Sequence, residues 1–325
     1  MVKVSLVMPA FIRDAANLRY FEQALNSAIE QTYEALEILV VNDGSPLTAE
    51  LERLPQLHHP RVRYVKKANA GVASALNVAL KEMSGEFFTW LSHDDLYLPT
   101  KVEEQASVAL AHRGDAVFYC DVEHIDEAGK HLFFELTPDI PPAVQYLFHA
   151  QYGCFNANSY LIHRRCFETV GPFDETLRTT QDNDMWFRIA RHFTSIRVPK
   201  VLMKYRHHPT QDSRSPVHLG ECNDLYIYFL KSVRREDIMR DPTRSVARYY
   251  AECACIRSQR GYRRAENHSL RLALREGARS PWRERSTLNL IAGLLLRRLR
   301  PGRWLLERIA PESSRDVASN ESRVN

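Results

Sequence analysis

The chain contains 325 residues, of which 44% are apolar, and its formal net charge is +4. This length accommodates one large domain or two smaller ones. No stretch approaches the ~20 apolar residues of a membrane-spanning helix, and the first residues form a strand pattern rather than a signal peptide. The six cysteines have no zinc-ligand spacing, and a chain of this length needs no disulfide framework. The composition therefore argues against membrane-spanning, zinc-ribbon and disulfide-rich proteins, and it predicts a reduced, cytoplasmic protein.

The charge is unevenly distributed along the chain. Residues 231–325 contain one lysine and 21 arginines against 11 acidic residues, a local balance of about +11. Residues 1–230 therefore carry about −7. The sequence thus combines an acidic N-terminal part with a strongly arginine-rich C-terminal part.

Strand and helix patterns alternate over the first 120 residues. Apolar runs predict strands at residues 2–8, 37–41, 62–65, 87–91 and 116–120. Apolar residues at helical spacing predict helices at 18–29, 72–83 and 99–111. Strands separated by helices imply right-handed crossovers, so we predict an α/β fold with a mainly parallel, Rossmann-like sheet flanked by helices.

The pattern changes in the second half of the chain. From about residue 138 it is irregular, with helical spacing near 166–170 and 184–192. After about residue 215 helical spacing dominates, and residues 249–278 resemble a helical hairpin with Gly261 between its arms. We therefore divide the chain into an α/β domain at 1–215, an arginine-rich helical extension at 216–310 and a disordered tail at 311–325.

Two adjacent carboxylates, Asp94 and Asp95, follow the apolar run at residues 87–91. Open α/β sheets bind ligands at the carboxyl ends of their strands, where these side chains are expected. Two carboxylates so close repel each other unless a cation lies between them, and a hard divalent ion suits oxygen ligands. The alternative is a solvated pair that opens the helix after Pro99.

A third carboxylate, Asp43, follows the strand predicted at residues 37–41. In a parallel sheet it lies on the same edge as Asp94 and Asp95, where it can accept hydrogen bonds from a base or a ribose. The alternative is a simple turn, which Gly44 and Ser45 favour.

Five blocks of residues, in order along the chain, resemble family 2 glycosyltransferases. The first spans residues 4–45 and ends in EILVVNDGS; the others are NAGVASALN at 69–77, LSHDD at 91–95, VGPFDE at 170–175 and TQDNDMWFR at 180–188. The resemblance covers about residues 3–212, roughly two thirds of the chain. It implies a GT-A fold for the catalytic domain at 1–215 and inverting transfer of a sugar from a nucleotide-diphosphate donor.

The resemblance also assigns the nucleotide-binding residues. Asp43 would hold the base, uracil or thymine, in a pocket lined by Pro9 and Phe11, so the expected donor is a UDP or dTDP sugar. Asn69 and Gly71 would approach the nucleotide, Gly71 because glycine lacks a Cβ and permits close backbone contact.

A divalent metal, Mn²⁺ or Mg²⁺, is implied on the donor diphosphate. Asp95 would ligate the metal, and Asp94 would reach the metal or the ribose. Of His207 and His208, which fall where the family often has a histidine near the metal, His208 is the preferred ligand; the alternative is an ordinary surface or core histidine. The metal would neutralise charge on the departing nucleoside diphosphate.

Asp182 matches the catalytic base of the family, because an inverting displacement needs a carboxylate that takes the proton of the acceptor hydroxyl. The alternative is a capping role in the helix predicted to start near Asp184, although Asp184 is the better candidate for that role. An ion pair with Arg178 or Arg188 would prevent Asp182 from acting as a base.

Four positions depart from the family pattern. Ser92 stands where the family commonly has the first Asp of its Asp-x-Asp-Asp run, which removes one carboxylate from the expected metal site. Gln181 replaces Glu before the expected base, and Asn42 and Leu76 replace Asp and Arg. The Gln-x-x-Arg-Trp motif of processive synthases does not occur in the sequence, so we expect one sugar, or a few, to be added per encounter.

The arginine-rich extension contains an apolar segment at residues 288–296, followed by Arg297, Arg298, Arg300 and Arg303. Such a segment suits an interfacial helix on anionic lipid; the alternative is a helix packed on the catalytic domain. The sequence has no recognisable nucleic-acid-binding module. We therefore expect a cytoplasmic protein or one peripheral to the inner face of the membrane.

The predicted activity is transfer of a sugar to a hydroxyl of a glycan or lipid-linked acceptor in cell-surface polysaccharide or glycoconjugate assembly. One alternative is a catalytically inactive scaffold that binds nucleotide sugars, which Ser92 and Gln181 would support. Another is a sugar nucleotidyltransferase, but such enzymes carry a glycine-rich loop after the first strand, and residues 9–13 contain no glycine.

Overall fold

The computed structural model describes residues 1–112, 116–211, 215–279 and 285–299. The chain divides into two compact units, Met1–Thr243 and Arg244–Asn325, so the division lies beyond the predicted domain boundary at residue 215. The predicted tail at 311–325 and the arginines at 300 and 303 lie outside the described residues. In the part of the chain that the structure describes, no helix is long and apolar enough to cross a membrane.

Strands and helices alternate at first in the first unit and then become mixed. In chain order they are β1 (Val4–Ala10), α1 (Ala15–Ile29), β2 (Leu36–Asp43), α2 (Thr48–Glu52), β3 (Val62–Lys67), α3 (Val72–Glu82), β4 (Phe87–Trp90), β5 (Leu96–Tyr97), α4 (Lys101–Ala111), β6 (Ala116–Ile125), β7 (His131–Glu135), α5 (Gln145–Tyr152), β8 (Leu161–His163), α6 (Arg165–Val170), α7 (Gln181–Ala190), β9 (Thr194–Arg206), α8 (Pro216–Ser232) and α9 (Arg235–Met239). The second unit contains α10 (Val246–Gln259), α11 (Arg263–Arg279) and α12 (Arg285–Leu299).

The described strands form one nine-stranded sheet of order β3-β2-β1-β4-β8-β6-β9-β5, with β7 paired to β6. Strands β3, β2, β1 and β4 are mutually parallel, as are β6 and β9, whereas β8, β5 and β7 pair antiparallel. Val7 of β1 is in register with Leu39 of β2 and Trp90 of β4. The carboxyl ends of these three strands therefore lie at one edge of the sheet.

Each face of the sheet is covered by its own hydrophobic core. Leu6 and Met8 of β1 pack on one face with residues of α1 and α4, and Val7 packs on the other with residues of α3, α6 and α7. Because both faces are covered, β1 and β2 are buried almost throughout and their sequences appear as continuous apolar runs. The predicted α/β fold with helices on both faces of a largely parallel sheet is confirmed.

Helix α1 shows how local sequence produces an element of this core. The side chain of its N-cap, Asp14, accepts a hydrogen bond from the backbone N–H of Asn17 at 2.8 Å, which satisfies one donor of the first turn. Phe21, Leu25 and Ala28 recur at helical spacing and are fully buried against the sheet.

The second half of the first unit differs most from the sequence-based prediction. Strands β5, β7, β8 and β9 were not predicted, because they are short, exposed or interrupted. Strand β9 contains Pro199 and Lys200 within thirteen residues and shifts register against β6. Helix α7 begins at Gln181 with Thr180 as its N-cap, so the predicted start near Asp184 is wrong, as is the capping role suggested for Asp184.

The second unit has the predicted helical hairpin. Helices α10 and α11 pack against each other, and Gly261 lies between them with φ of 77°, a backbone conformation that glycine adopts without strain. Tyr249 and Cys253 on α10 are fully buried, as are Ala265 and Ala273 on α11. The hairpin therefore has an apolar interior of its own.

Candidate active site

A cleft of about 1020 Å³ lies in the first unit at the carboxyl ends of β1, β2 and β4. This is the edge at which open α/β sheets bind ligands. All nine site residues predicted from the sequence line the cleft: Pro9, Phe11, Asp43, Asn69, Gly71, Asp94, Asp95, Asp182 and His208. Residues that are as much as 199 positions apart, Pro9 and His208, are therefore brought to one cleft.

Asp43 lies at the end of β2, and both oxygens of its carboxylate accept hydrogen bonds from the protein. Oδ1 accepts from Lys67 Nζ at 2.5 Å and from the N–H of Ala70 at 3.0 Å. Oδ2 accepts from the N–H of Gly71 at 2.8 Å and from Asn69 Nδ2 at 3.2 Å. The side chain is almost fully buried. Its hydrogen bonds hold the loop between β3 and α3. A base that binds Asp43 must therefore compete with these donors.

The backbone conformation of Gly71 itself favours glycine. A Cβ on this residue would meet no atom within 4 Å, but φ is +92°, where side-chain-bearing residues are strained. At Gly44, in the turn after β2, the constraint is steric, because a Cβ there would lie 2.7 Å from the N atom of Asn69. Both glycines thus shape the loop that Asp43 holds.

Asp94 and Asp95 point to different environments. Asp94 Oδ2 lies 2.9 Å from His208 Nε2. Asp95 is 1% exposed; its Oδ1 accepts from the N–H of Arg206 at 2.8 Å and its Oδ2 from Asn158 Nδ2. Both oxygens of Asp95 are thus engaged by protein donors, whereas Asp94 is paired with a potential metal ligand.

The protonation equilibria of the two carboxyl groups diverge for the same reason. Burial raises the pKa of Asp94, but the nearby His93 and His208 outweigh it and hold the pKa below the usual value. Burial, together with the charge of the adjacent Asp94, raises the pKa of Asp95 well above the usual value. Of these two groups, Asp94 is therefore the one that ionises more readily.

Asp94 and His208 together suit a divalent metal. A carboxylate oxygen and an imidazole nitrogen are accepted by Mn²⁺, and the other ring nitrogen of His208 lies 3.0 Å from Thr210 Oγ1, which orients the ring. Among the described residues no cluster of three or more His, Cys, Asp or Glu side chains could hold a metal by itself. Further ligands would have to be water or substrate phosphate, as is common for Mg²⁺ sites. His207 instead contacts His124, with its Nε2 2.8 Å from His124 Nδ1.

Two residues that support this region were not predicted. Asn158 accepts from Ser92 N at 3.0 Å and Ser92 Oγ at 3.1 Å, and it donates to Asp95. Arg206, at 2% exposure, donates to Asp94 O at 2.9 Å and Gln23 Oε1 at 2.8 Å. These contacts join residues that are 63 to 183 positions apart, so local sequence patterns gave no signal for them.

Asp182 lies in the first turn of α7. Its two carboxylate oxygens differ in their hydrogen bonding. Its Oδ1 accepts from the N–H of Asn183 at 2.7 Å and from Asn183 Nδ2 at 3.2 Å. Its Oδ2 has the Cys154 thiol at 4.0 Å as its partner among the described residues. Burial raises the pKa of Asp182 above the usual value. The carboxylate is therefore arranged to accept a proton.

The arginines near Asp182 in sequence do not neutralise it. Arg188 Nε pairs with Asp184 Oδ2 at 2.8 Å, and the same guanidinium donates to the carbonyl oxygens of Val170 and Pro172. Within the described residues Arg178 makes no ion pair with Asp182. The ion pair that would prevent Asp182 from acting as a base is thus not formed in this part of the chain.

Comparison with known proteins decides the family. A family model described as Glycosyl transferase family 2 matches residues 5–143. An uncharacterized glycosyltransferase of Rickettsia prowazekii is 33% identical over 284 residues, which is 83% of this chain and 84% of the relative. The chain belongs to glycosyl transferase family 2.

Other relatives agree with the family, although they are longer. An uncharacterized glycosyltransferase of Rickettsia conorii is 38% identical over 253 residues, 73% of this chain. The alignment spans 39% of that relative, and similarly small shares of the relatives from Rickettsia felis and Rickettsia bellii. The family 2 chain thus corresponds to less than half of the length of these relatives.

Solved structures of glycosyltransferases share the fold. S. aureus TarS in complex with UDP-GlcNAc superposes with a TM-score of 0.57 at 15% identity, over 90% of this chain and 79% of that one. The mannosyltransferase PcManGT from Pyrobaculum calidifontis, in complex with GDP-Man and Mn²⁺, gives 0.51 at 19% identity, over 92% and 81%. The predicted family and GT-A fold are both confirmed.

Proposed function

We propose that this chain transfers a sugar from a nucleotide-diphosphate donor to a hydroxyl of a glycan or lipid-linked acceptor, with inversion, in cell-surface polysaccharide or glycoconjugate assembly. The observation that carries the proposal is the arrangement of two carboxylates in one cleft. Asp94 is paired with His208 at 2.9 Å, and Asp182 keeps one oxygen open at a separate position in the same cleft. Such a cleft supplies both a candidate metal-binding pair and a candidate base.

The donor-binding end of the cleft is formed by Pro9, Phe11 and the loop that contains Asn69 and Gly71. The similar structures of TarS and PcManGT contain UDP-GlcNAc and GDP-Man, which supports a nucleotide-diphosphate sugar as the donor class. We propose a UDP or dTDP sugar on the sequence evidence. In this proposal Asp43 holds the loop between β3 and α3. It accepts a hydrogen bond from the base only if the base displaces one of the protein donors that now bind its carboxylate.

We propose that Asp94 and His208 hold the divalent metal, Mn²⁺ or Mg²⁺. When bound, the metal supplies a Lewis acid that neutralises charge on the leaving diphosphate. Asp95, which the sequence assigned as a ligand, has both oxygens engaged by Arg206 and Asn158. It therefore acts by holding the backbone on which Asp94 is placed.

Asp182 would act as the general base. Its open Oδ2 takes the proton of the acceptor hydroxyl as the oxygen attacks the anomeric carbon from the face opposite the leaving group. Asn183 holds Oδ1, so the carboxylate keeps one orientation. The pKa raised by burial makes Asp182 a stronger base than a solvent-exposed Asp, provided that it is deprotonated at the working pH.

The second unit supports a proposal of peripheral membrane contact. Helix α11 has an exposed face with Arg263, Arg264, Arg271 and Arg275, beside Leu274 at 41% exposure. A basic helical face with apolar side chains binds anionic lipid surfaces, and a lipid-linked acceptor would reside there. Sedimentation with vesicles containing an anionic lipid, but not with neutral vesicles, would support this contact; no difference would contradict it.

Calorimetry with UDP, dTDP and GDP sugars, with and without Mn²⁺, tests the central proposal. We expect metal-dependent binding by the wild type, and loss of the metal dependence in Asp94→Asn. Turnover should also disappear in Asp182→Asn while nucleotide binding is kept. Absence of nucleotide binding under all these conditions would sink the proposal. Tight binding without turnover over a broad acceptor panel would favour the inactive scaffold instead.

A further inference from the structure

One cationic side chain near Asp182 has no role in the proposed reaction. Arg178 lies in the loop before α7, four positions from Asp182, and it lines the same cleft. It is exposed, and within the described residues its guanidinium has no hydrogen-bond or ion-pair partner. The loop therefore presents an unpaired positive charge in the cleft that contains the proposed base.

The carboxylate of Glu221, which contacts this loop, is already engaged by other donors. Glu221 of α8 accepts from the N–H groups of Arg178 and Thr179, both at 2.8 Å. It also accepts from the hydroxyls of Thr179 at 2.8 Å and Thr180 at 3.2 Å. These bonds outweigh burial and lower the pKa of Glu221, so the group stays ionised and fixes the backbone of the loop. Glu221 thus holds the loop through the N–H groups and hydroxyls of the loop residues. It does not pair with the guanidinium of Arg178.

The cleft that Arg178 lines also contains carboxylates. Glu175 and Asp182 both line it, and Glu175 Oε1 accepts from Asn77 Nδ2 at 2.8 Å. An anionic molecule that approached these carboxylates would be repelled unless a cation were also present. Arg13, the other arginine that lines the cleft, lies at the donor end with its guanidinium 5.3 Å from the ring centroid of Phe11. Among the described residues, the lining of the cleft thus includes two arginines, Arg13 and Arg178.

We infer that the acceptor carries an anionic group, a phosphate or a carboxylate, and that Arg178 binds it. This inference rests on the proposed function, since it places the acceptor next to Asp182. A guanidinium binds either anion through two parallel hydrogen bonds, which would orient the acceptor as well as attract it. A neutral acceptor would gain no such contact from this residue.

Matched acceptor probes test the inference. A neutral methyl hexoside, its 6-phosphate and the corresponding methyl hexuronide are titrated into the full chain by NMR, with and without nucleoside diphosphate and Mn²⁺. Because a guanidinium forms charge-assisted hydrogen bonds with an anion, at least one anionic probe should bind roughly tenfold or more tightly than the neutral one. The affinities of the two anionic probes show whether the site prefers phosphate or carboxylate.

Substitutions assign the effect to Arg178. Arg178→Gln should abolish the preference for the anionic probe, and Arg178→Lys should restore part of it. Arg53→Gln, which removes an exposed arginine outside the cleft lining, should leave the preference unchanged. Equal or absent binding of anionic and neutral probes, or an unchanged preference in Arg178→Gln, would overturn the inference. Loss of nucleoside diphosphate binding in the wild type would contradict the proposed function instead, because that binding is measured separately.

Discussion

The four carboxylates of the cleft that the sequence singled out, Asp43, Asp94, Asp95 and Asp182, fall into two groups. Asp43 and Asp95 are almost fully buried and have both oxygens engaged by protein donors. Asp94 pairs with His208, and Asp182 keeps Oδ2 open except for a distant thiol. The comparison teaches that a carboxylate at a strand end can build the site without reacting in it. We expect substitutions in the two groups to have different effects.

The largest effect is expected for Asp182→Asn, which removes the proposed base while keeping the shape of the side chain. General base catalysis typically contributes 10²–10⁴-fold, so kcat should fall by about that factor. Nucleotide affinity should be unchanged, because in the proposed reaction Asp182 contacts the acceptor and not the nucleotide. Steady-state kinetics and calorimetry on the same preparation measure both.

Asp184→Asn is the matched control for this variant. It lies two positions away on α7 and loses the ion pair with Arg188, so it should lower stability but leave kcat near that of the wild type. If Asp182→Asn kept a normal kcat, another carboxylate of the cleft, such as Glu175, would have to be the base.

The next largest effect is expected for Asp94→Asn in comparison with Asp95→Asn. Loss of an outer partner of a metal typically costs about 10–100-fold in metal affinity, and loss of a direct ligand should cost at least as much. Asp94→Asn should therefore lose the Mn²⁺ dependence of nucleotide binding. Asp95→Asn should retain it, since its carboxylate is engaged by Arg206 and Asn158. The reverse result would make Asp95 the ligand, as the sequence suggested.

A smaller effect, on stability, is expected for Asp43→Ala. It removes the charged acceptor of the part-buried N–H groups of Ala70 and Gly71, and a hydrogen bond to a charged group contributes about 1.5–3 kcal/mol. Glu82→Ala, which breaks an exposed ion pair with Arg63, should cost no more than about 1 kcal/mol. Urea unfolding of the three proteins compares them; equal midpoints would show that Asp43 does not hold the loop.

The smallest effect is expected in the pH profile. Because Asp182 must be deprotonated to act as a base, activity should fall as the pH decreases through its pKa, which burial has raised. Asn183→Ala removes one hydrogen bond that favours the charged carboxylate, so the acidic limb of kcat/KM should move to higher pH. A limb that stayed in place, or moved to lower pH, would argue that the profile reports another group.

The sequence by itself determined the strands that carry the site. The apolar runs before Asp43 and Asp94 predicted buried parallel strands, and their ends do lie at one edge of the sheet. Periodicity succeeds there because burial on both faces of a sheet leaves a continuous apolar run in the local sequence. The order of motifs added Asp182, His208 and the family.

Only the tertiary structure decided which side chains are engaged. Asp94 and Asp95 are adjacent and chemically identical in the sequence, yet Asn158 and Arg206 distinguish them through hydrogen bonds that span 63 and 111 positions. Likewise, Glu221 leaves Arg178 unpaired by accepting from backbone groups instead. Local patterns report burial along one segment, whereas the partners of a buried charge are set by packing between distant segments, so they appear only when the chain is folded.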